Sequence, residues 1–158
     1  MRIREARSED AVVLAELGAT IQQLHHDERP DWFKPANADE AVKFYEELLE
    51  NADVTAFVAE DDAGVLGFVL VNVLHRPETP FAWAQTIVHI DQIGVAPSAR
   101  HRGVGRELFQ AVRALADQVA ATRVFLTTWD FNTVAHRFFE AEGLESEMRR
   151  MSMPWPAP

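Results

Sequence analysis

Four basic side chains, Arg100, His101, Arg102 and Arg106, crowd around two glycines, Gly103 and Gly105. They stand at the start of an apolar stripe, Val104, Leu108, Val112, Leu115 and Val119, whose spacing predicts a helix. A helix start normally carries a Ser, Thr, Asp or Asn cap and acids in its first turn, because the free N–H groups and the dipole are positive there. Cations at this end repel it unless an anion is bound between them. Glycines at alternate positions let backbone N–H groups approach such an anion and wrap it. The chemistry implied is phosphate or pyrophosphate binding. It is not the P-loop kind, since no Lys-Ser/Thr follows the glycines. Nor is it the dinucleotide kind, because Leu108 of the core stripe occupies the third glycine position.

What remains is Arg-x-x-Gly-x-Gly, as Arg100-His101-Arg102-Gly103-Val104-Gly105, led into by the strand-like Ile93-Gly94-Val95-Ala96-Pro97. Downstream lies Asn132-Thr133-Val134-Ala135-His136-Arg137-Phe138-Phe139-Glu140-Ala141-Glu142-Gly143-Leu144. The first stretch resembles the pyrophosphate motif of the GNAT family of N-acetyltransferases. The second resembles that family's Asn-x-x-Ala-x-x-Phe-Tyr-x-x-x-Gly-Phe helix, at the expected distance. The resemblance implies an α/β (α+β) acyl-CoA N-acyltransferase fold with a central, mostly antiparallel mixed sheet flanked by helices. It implies acetyl-CoA as cosubstrate, with its pyrophosphate on residues 100–106 and its pantetheine amides along the strand edge at Ile93, Gly94 and Val95. It further implies a backbone oxyanion donor near Val95 and cofactor-side positions for Asn132 and Phe139. Asn132 serves equally well as a helix N-cap.

Acetyl transfer to an amine needs the nucleophile neutral, and an alkylammonium has a pKa near ~10, so a base must take its proton. Asp91 matches the strand position where many relatives place an acid. Its other reading is a structural carboxylate paired with an arginine. On an ideal strand His89, Asp91, Ile93 and Val95 share one face, unless Gly94 introduces a bulge. His89 reads as packing rather than catalytic. The departure from the family pattern is Phe139, where a tyrosine commonly protonates the leaving thiolate. Phenylalanine has no hydroxyl, and nothing in the sequence places the lone tyrosine, Tyr45, at the sulfur. Loss of one acid costs about 10²–10⁴-fold where protonation limits the rate, so the class survives the change. The rival reading is a non-catalytic acyl-CoA-binding module.

The chain of 158 residues suits one domain with a substantial core, and 47% hydrophobic with 25% charged residues is ordinary for a soluble protein. A formal net charge of −10 argues against nucleic-acid binding and weakly favours a basic partner such as a small-molecule or peptide amine. No apolar run approaches a membrane span, and residues 1–6 lack a signal-peptide core. With no cysteine there is neither a disulfide framework nor a thiolate metal site, and no metal is expected. A cytoplasmic location is the expectation. Dimers are common in the resembled family, so a homodimer fits it.

The elements that must position these groups follow in order. Residues 2–6 predict a strand. Ser8 predicts an N-cap for a helix running to about residue 25. Residues 25–35, with Pro30 and Pro35, predict a loop. Its Asp27, Glu28, Asp31, Trp32 and Phe33 would suit a cationic acceptor, although a solvated loop with two packed aromatics has the same composition. His25 and His26 are adjacent on a helix and lack the i, i+4 geometry of a metal pair. Asn37 or Asp39 predicts the cap of a second helix. Two strands, 54–60 and 65–74, join at Asp61-Asp62-Ala63-Gly64. A strand over 86–95, a helix over 104–119 and a strand over 123–128 follow. The Asn132 helix closes at Gly143, Trp129 and Phe131 precede it, and a last strand reaches Met153. Residues 1–153 are expected to form a single N-acetyltransferase domain, with 154–158 a tail.

Overall fold

A computed structural model describes residues 1–153; the expected tail at 154–158 lies outside the described residues. The chain clusters into two compact units, one covering Met1–Thr127 and a smaller one from Thr128 onward. The first holds β1 (Arg2–Glu5), α1 (Ala11–Glu28), α2 (Ala38–Glu50), β2 (Val54–Asp61), β3 (Gly64–Arg76), β4 (Gln85–Val95), α3 (Val104–Gln118) and β5 (Arg123–Leu126). The second holds α4 (Thr133–Ala141).

The strands form one open sheet in the order β1-β2-β3-β4-β5. Every neighbouring pair is antiparallel except β4 and β5, which are parallel. A parallel pair needs a crossover, and α3 supplies it. This is the mostly antiparallel mixed sheet with flanking helices that the family resemblance implies.

Residues opposite one another on neighbouring strands share a face. Phe68 and Leu70 of β3 stand opposite Val58 and Ala56 of β2. All four pack with Leu14, Ala15 and Leu17 of α1 and Tyr45 of α2. Gly67 belongs to the other face, where a Cβ would meet Val104 and Leu108 of α3 at 3.1 and 3.3 Å. Each side of the sheet is thus covered by a helix layer, and on the α3 side Val104, Leu108 and Val112 of the expected apolar stripe are buried. Leu14, Phe68 and Leu108 are fully enclosed, and each such burial stabilises the fold by about 1.5–3 kcal/mol.

Three expectations need correction. Ser8 does not cap α1; it opens a 3-10 turn, Ser8–Asp10, and Asp10 accepts the Arg7 N–H at 2.7 Å. The helix also runs three residues past 25, to Glu28, since no proline intervenes before Pro30. Residues 144–153 form no strand. Met148, Met151 and Met153 are all exposed, so the segment buries no apolar face against the sheet. Asn37 does cap α2, accepting from the Glu40 N–H at 3.4 Å, and Gly143 takes the left-handed conformation that closes α4. Among the described residues no helix is long and apolar enough to cross a membrane.

Arg4 ties the N-terminal strand to the helix layer. Its guanidinium makes two bonds to the Asp10 carboxylate, at 2.7 and 2.8 Å, and a third to Glu60 at 2.8 Å. Arg4 holds the Asp10 carboxyl below its ordinary range, against the opposing effect of burial. A lowered carboxyl contributes stability that is complete above its unfolded pKa of about 3.9 and is lost as pH falls through the folded value. Asp10→Asn leaves the part-buried Arg4 guanidinium with Glu60 as its charged partner, so it should cost about 1–3 kcal/mol at pH 7. Urea unfolding at pH 7 and pH 3 checks this: the wild type should weaken at the lower pH, and the gap to the variant should narrow.

Candidate functional site

The site is built on β4, and its defining feature is one extra residue. Ile90 stands opposite Val71 and Gln92 opposite Leu70, so Asp91 has no partner on β3 and forms a bulge. The bulge lies at Asp91 and not at Gly94, where the sequence pattern had allowed it. Side-chain parity therefore changes at this point. His89 stands opposite Asn72 and Gln92 opposite Leu70, which places both on the α1/α2 face. Asp91 stands outside the regular alternation, with its charge within reach of His89 and Tyr45. Gly94 is needed for another reason: a Cβ there would meet Ile21 of α1 at 2.9 Å and Phe68 at 3.0 Å.

Pairing between β4 and β5 ends at Ile90 with Leu126, one residue before the bulge. Beyond it, among the described residues, no strand of the sheet pairs with β4 on that side. The Ala96 N–H crosses to the Leu66 carbonyl at 2.8 Å. Backbone groups alternate along a strand, so Val95 and Ile93 turn theirs toward the open edge. That edge can accept an extended ligand carrying amide groups.

The strand runs through the 3-10 turn Pro97–Ala99 into the basic loop. His101 has φ of 61° and Gly103 φ of 82°, both left-handed. For histidine this conformation is uncommon and costs energy, as happens where a loop is shaped around a ligand. A Cβ on Gly103 would meet no atom within 4 Å, so the glycine is required by its φ and leaves open space. Glu107 is bonded through its N–H to the Gly103 carbonyl at 3.1 Å. The N–H groups of Val104 and Gly105, one turn earlier, have no intrahelical acceptor. Arg100, His101 and Arg102 are exposed around them. This arrangement fits a pyrophosphate. Arg102 also donates to Asp61 at 3.0 Å. Asp61, in the β2–β3 turn, accepts the Ala63 N–H at 2.9 Å as well. These two donors, the backbone one first, hold its carboxyl below the usual range.

Asp91 is exposed and makes no ion pair among the described residues, so the arginine-paired structural reading fails. Its charge is felt by two neighbours. Burial depresses the His89 imidazole, partly offset by Asp91, and the ring packs against Phe125 with centroids 4.6 Å apart. Tyr45 is the residue that sequence reasoning left unplaced. It is 4% exposed, and its hydroxyl donates to Gln92 Oε1 at 2.6 Å. Burial first, then the charge of Asp91, pushes its pKa up to about 12. The ring is set edge-on to Phe68, at 5.9 Å. It passes α1 only because residue 18 is glycine: a Cβ there would collide with the hydroxyl and approach Cζ to 2.9 Å. A lone glycine inside an otherwise regular helical stripe was the one available signal for this clearance.

The acceptor-loop candidates are held locally. Asp27 accepts from Gln23 at 2.6 Å, and Asp31 forms two bonds with Arg29, at 2.8 and 2.7 Å. Phe33 stacks on His25 at 4.9 Å, and its carbonyl accepts from His26 Nδ1 at 2.8 Å. Trp32 and Glu28 are exposed. The two histidines are thus occupied in closing the loop. In the smaller unit, Asn132 caps α4 by accepting the Ala135 N–H at 3.2 Å. Phe139 is buried against Phe138, centroids 5.1 Å apart, and Trp129 stacks on Phe131 at 5.9 Å.

A mostly antiparallel sheet, a bulged strand with one open edge and a basic glycine turn at the next helix make up the scaffold. The sequence model of the Acetyltransferase (GNAT) family matches residues 21–144, and the chain belongs to that family of enzymes. It is 26% identical to the uncharacterized N-acetyltransferase YhfO of Bacillus subtilis, over 93% of this chain and 91% of that one. It is 27% identical to the aminoglycoside N(6')-acetyltransferase type 1 of Salmonella typhimurium, over 73% and 79%. In fold it is similar to the BH1408 protein of Bacillus halodurans, solved as a tetramutant, with TM-score 0.89, 24% identity and 98% and 99% coverage. It is also similar to the aminoglycoside N-acetyltransferase AAC(6')-Iy solved with CoA, with TM-score 0.77, 21% identity and 99% and 95% coverage.

Since Tyr45 reaches β4 only through the gap at Gly18, Gly18→Val should drive the ring from Gln92. Such overpacking costs about 1–3 kcal/mol, measurable as a lower urea midpoint with unchanged m-value.

Proposed function

We propose that this protein is an acetyl-CoA-dependent N-acetyltransferase acting on a primary amine of a small molecule or peptide, by direct attack within a ternary complex. The observation that carries the reading is the Asp91 bulge. It sets an exposed carboxylate beside a strand edge that is open from that residue on and runs directly into a pyrophosphate-shaped turn. Family membership and relatives named as N-acetyltransferases support it. The family match spans parts of both compact units, which favours one N-acetyltransferase domain over residues 1–153.

The residues divide the work. Arg100, His101, Arg102 and Arg106, with the backbone N–H groups from Gly103 to Gly105, would hold the pyrophosphate. Ile93, Gly94 and Val95 would hold the pantetheine, with the Val95 N–H as donor to the thioester oxygen. Bound there, acetyl-CoA supplies the acyl group as a thioester. Asp91 takes the proton of the incoming ammonium, directly or through water. Asn132 and Phe139 are proposed cofactor neighbours from the smaller unit. Asp27, Glu28, Asp31, Trp32 and Phe33 are the proposed acceptor loop; Asp27 and Glu28 are its more available acids, since Asp31 is engaged by Arg29. Aminoglycoside acetyltransferases among the relatives favour a small-molecule amine. One observation favours a non-catalytic binder of the same fold instead: Phe139 offers no hydroxyl for the leaving thiolate. Free-thiol release on adding amines separates the two, and release above the amine-free rate is expected.

Gly103→Glu fills the open space at the turn and adds a negative charge, so calorimetry should show no acetyl-CoA binding. Unchanged affinity would remove the turn from the site. Asp91→Asn should lower kcat/KM by about 10²-fold or more at pH 7. The deficit should shrink as pH rises toward the amine's own pKa of ~10, where no base is needed. A pH–rate profile parallel to wild type would exclude Asp91 as the base.

A further inference from the structure

The Tyr45–Gln92 hydrogen bond joins a buried hydroxyl to a side chain next to Asp91, and it restricts what Gln92 can offer a substrate. The phenol is enclosed by Phe68 and by α1 at Gly18. Its pKa of about 12 keeps it protonated, hence a donor, across the working range. Reversing the amide would leave this buried O–H without an acceptor, the costlier arrangement. The carbonyl oxygen of Gln92 is therefore committed to the core. Gln92 has no other hydrogen bond among the described residues, and no enclosed side-chain nitrogen or oxygen there lacks a partner. Its Nε2 is consequently reachable by solvent. The end of the half-buried Gln92 amide that is left to meet a ligand is therefore its N–H donor end, one residue from the proposed base.

We propose that Gln92, oriented by Tyr45, is an acceptor-specificity residue that selects amines bearing an oxygen acceptor, a hydroxyl, ether or carboxylate, one or two carbons from the nitrogen. This rests on the N-acetyltransferase reading. An ammonium at Asp91 places its neighbouring atoms within reach of the adjacent side chain. An oxygen there accepts from Nε2, whereas a hydrocarbon leaves the amide desolvated without a partner, and a second ammonium meets only donors. Polyamines and plain alkylamines are thereby disfavoured relative to amino sugars, amino alcohols and amino acids. Tyr45 is a positioning residue. It does not touch the acceptor; it fixes which end of the amide faces out. Without its hydroxyl the amide can turn over and present its carbonyl.

The test compares two matched amines, 6-amino-6-deoxyglucose and cyclohexylmethylamine, by thiol release from acetyl-CoA with wild type, Tyr45→Phe and Gln92→Glu. One hydrogen bond and its desolvation correspond to roughly a tenfold preference in kcat/KM for the sugar in the wild type, mainly through KM. Tyr45→Phe should reduce the ratio severalfold toward unity. Gln92→Glu, which keeps an acceptor for Tyr45 but offers the ring ether no donor, should also reduce it, since a carboxylate only accepts from the sugar's hydroxyls. General damage to the fold lowers both amines together and leaves the ratio unmoved, and Gln92→Glu alters a solvent-reachable group if Tyr45→Phe is poorly folded. A wild-type ratio near one, or both variants retaining the wild-type ratio, overturns the proposal while leaving acetyl transfer intact. If neither amine, nor a broader amine panel, releases thiol, the N-acetyltransferase reading fails and the proposal falls with it.

Discussion

A β-strand has a period of two, and inserting one residue into it exchanges the faces of everything beyond the insertion. Asp91 is that residue in β4. Upstream, β4 is a central strand, paired antiparallel with β3 and parallel with β5. Downstream it keeps β3 alone, and its free edge turns the Ile93 and Val95 backbone outward. The same insertion brings Gln92 onto the face of Leu70 and His89, under α1 and α2. One unpaired residue thus supplies an exposed carboxylate, coincides with the end of β5 pairing, and aims an amide at the helix layer. The arrangement persists because β3 pairs with β4 on both sides of the insertion, which holds the register against slippage.

The helix layers transmit this geometry from opposite sides. On the α3 side, Gly67 lets Val104 and Leu108 close on the sheet, which sets where the helix begins. The turn before it must then adopt two left-handed residues, and only one of them is a glycine. His101 accepts the strain of that conformation. On the other side, two further glycines permit close approach. Gly94 admits Ile21, and Gly18 admits the Tyr45 ring. These contacts fix the α1/α2 face of β4 just beyond the bulge, although its outer edge is open.

Electrostatics follow the same division. The acidic background of the chain is interrupted at residues 100–106, and Asp61 from the β2–β3 turn restrains one of those cations at Arg102. One residue earlier in β2, Glu60 shares Arg4 with Asp10. The first pair is half exposed and contributes little to stability; its effect is on where a guanidinium waits. The second is largely enclosed and fastens β1 to the start of the helix layer.

Much of this was legible without coordinates. Apolar stripes and turn residues located the helices and strands to within a few residues, and the basic Gly-x-Gly turn after a strand pointed to an anion site and to the family. These signals are local: each depends on residues within a turn or two, whose chemistry is readable in order. The missed features are non-local. Position in the chain predicts a strand over residues 144–153, but a strand needs a pairing strand and a buried apolar face, and among the described residues the segment has no pairing strand and its methionines are exposed. The bulge was allowed at Gly94 because glycine tolerates one, yet it falls at Asp91, because pairing with β3 decides register. Tyr45 and Gln92 are 47 positions apart in the chain, and no pattern in either neighbourhood announces the other. The sequence by itself determined the family, the basic glycine turn and the acid on the strand before it. Only the tertiary structure decided which way β4 faces and which side chain orients its amide, since both are set by packing across the sheet.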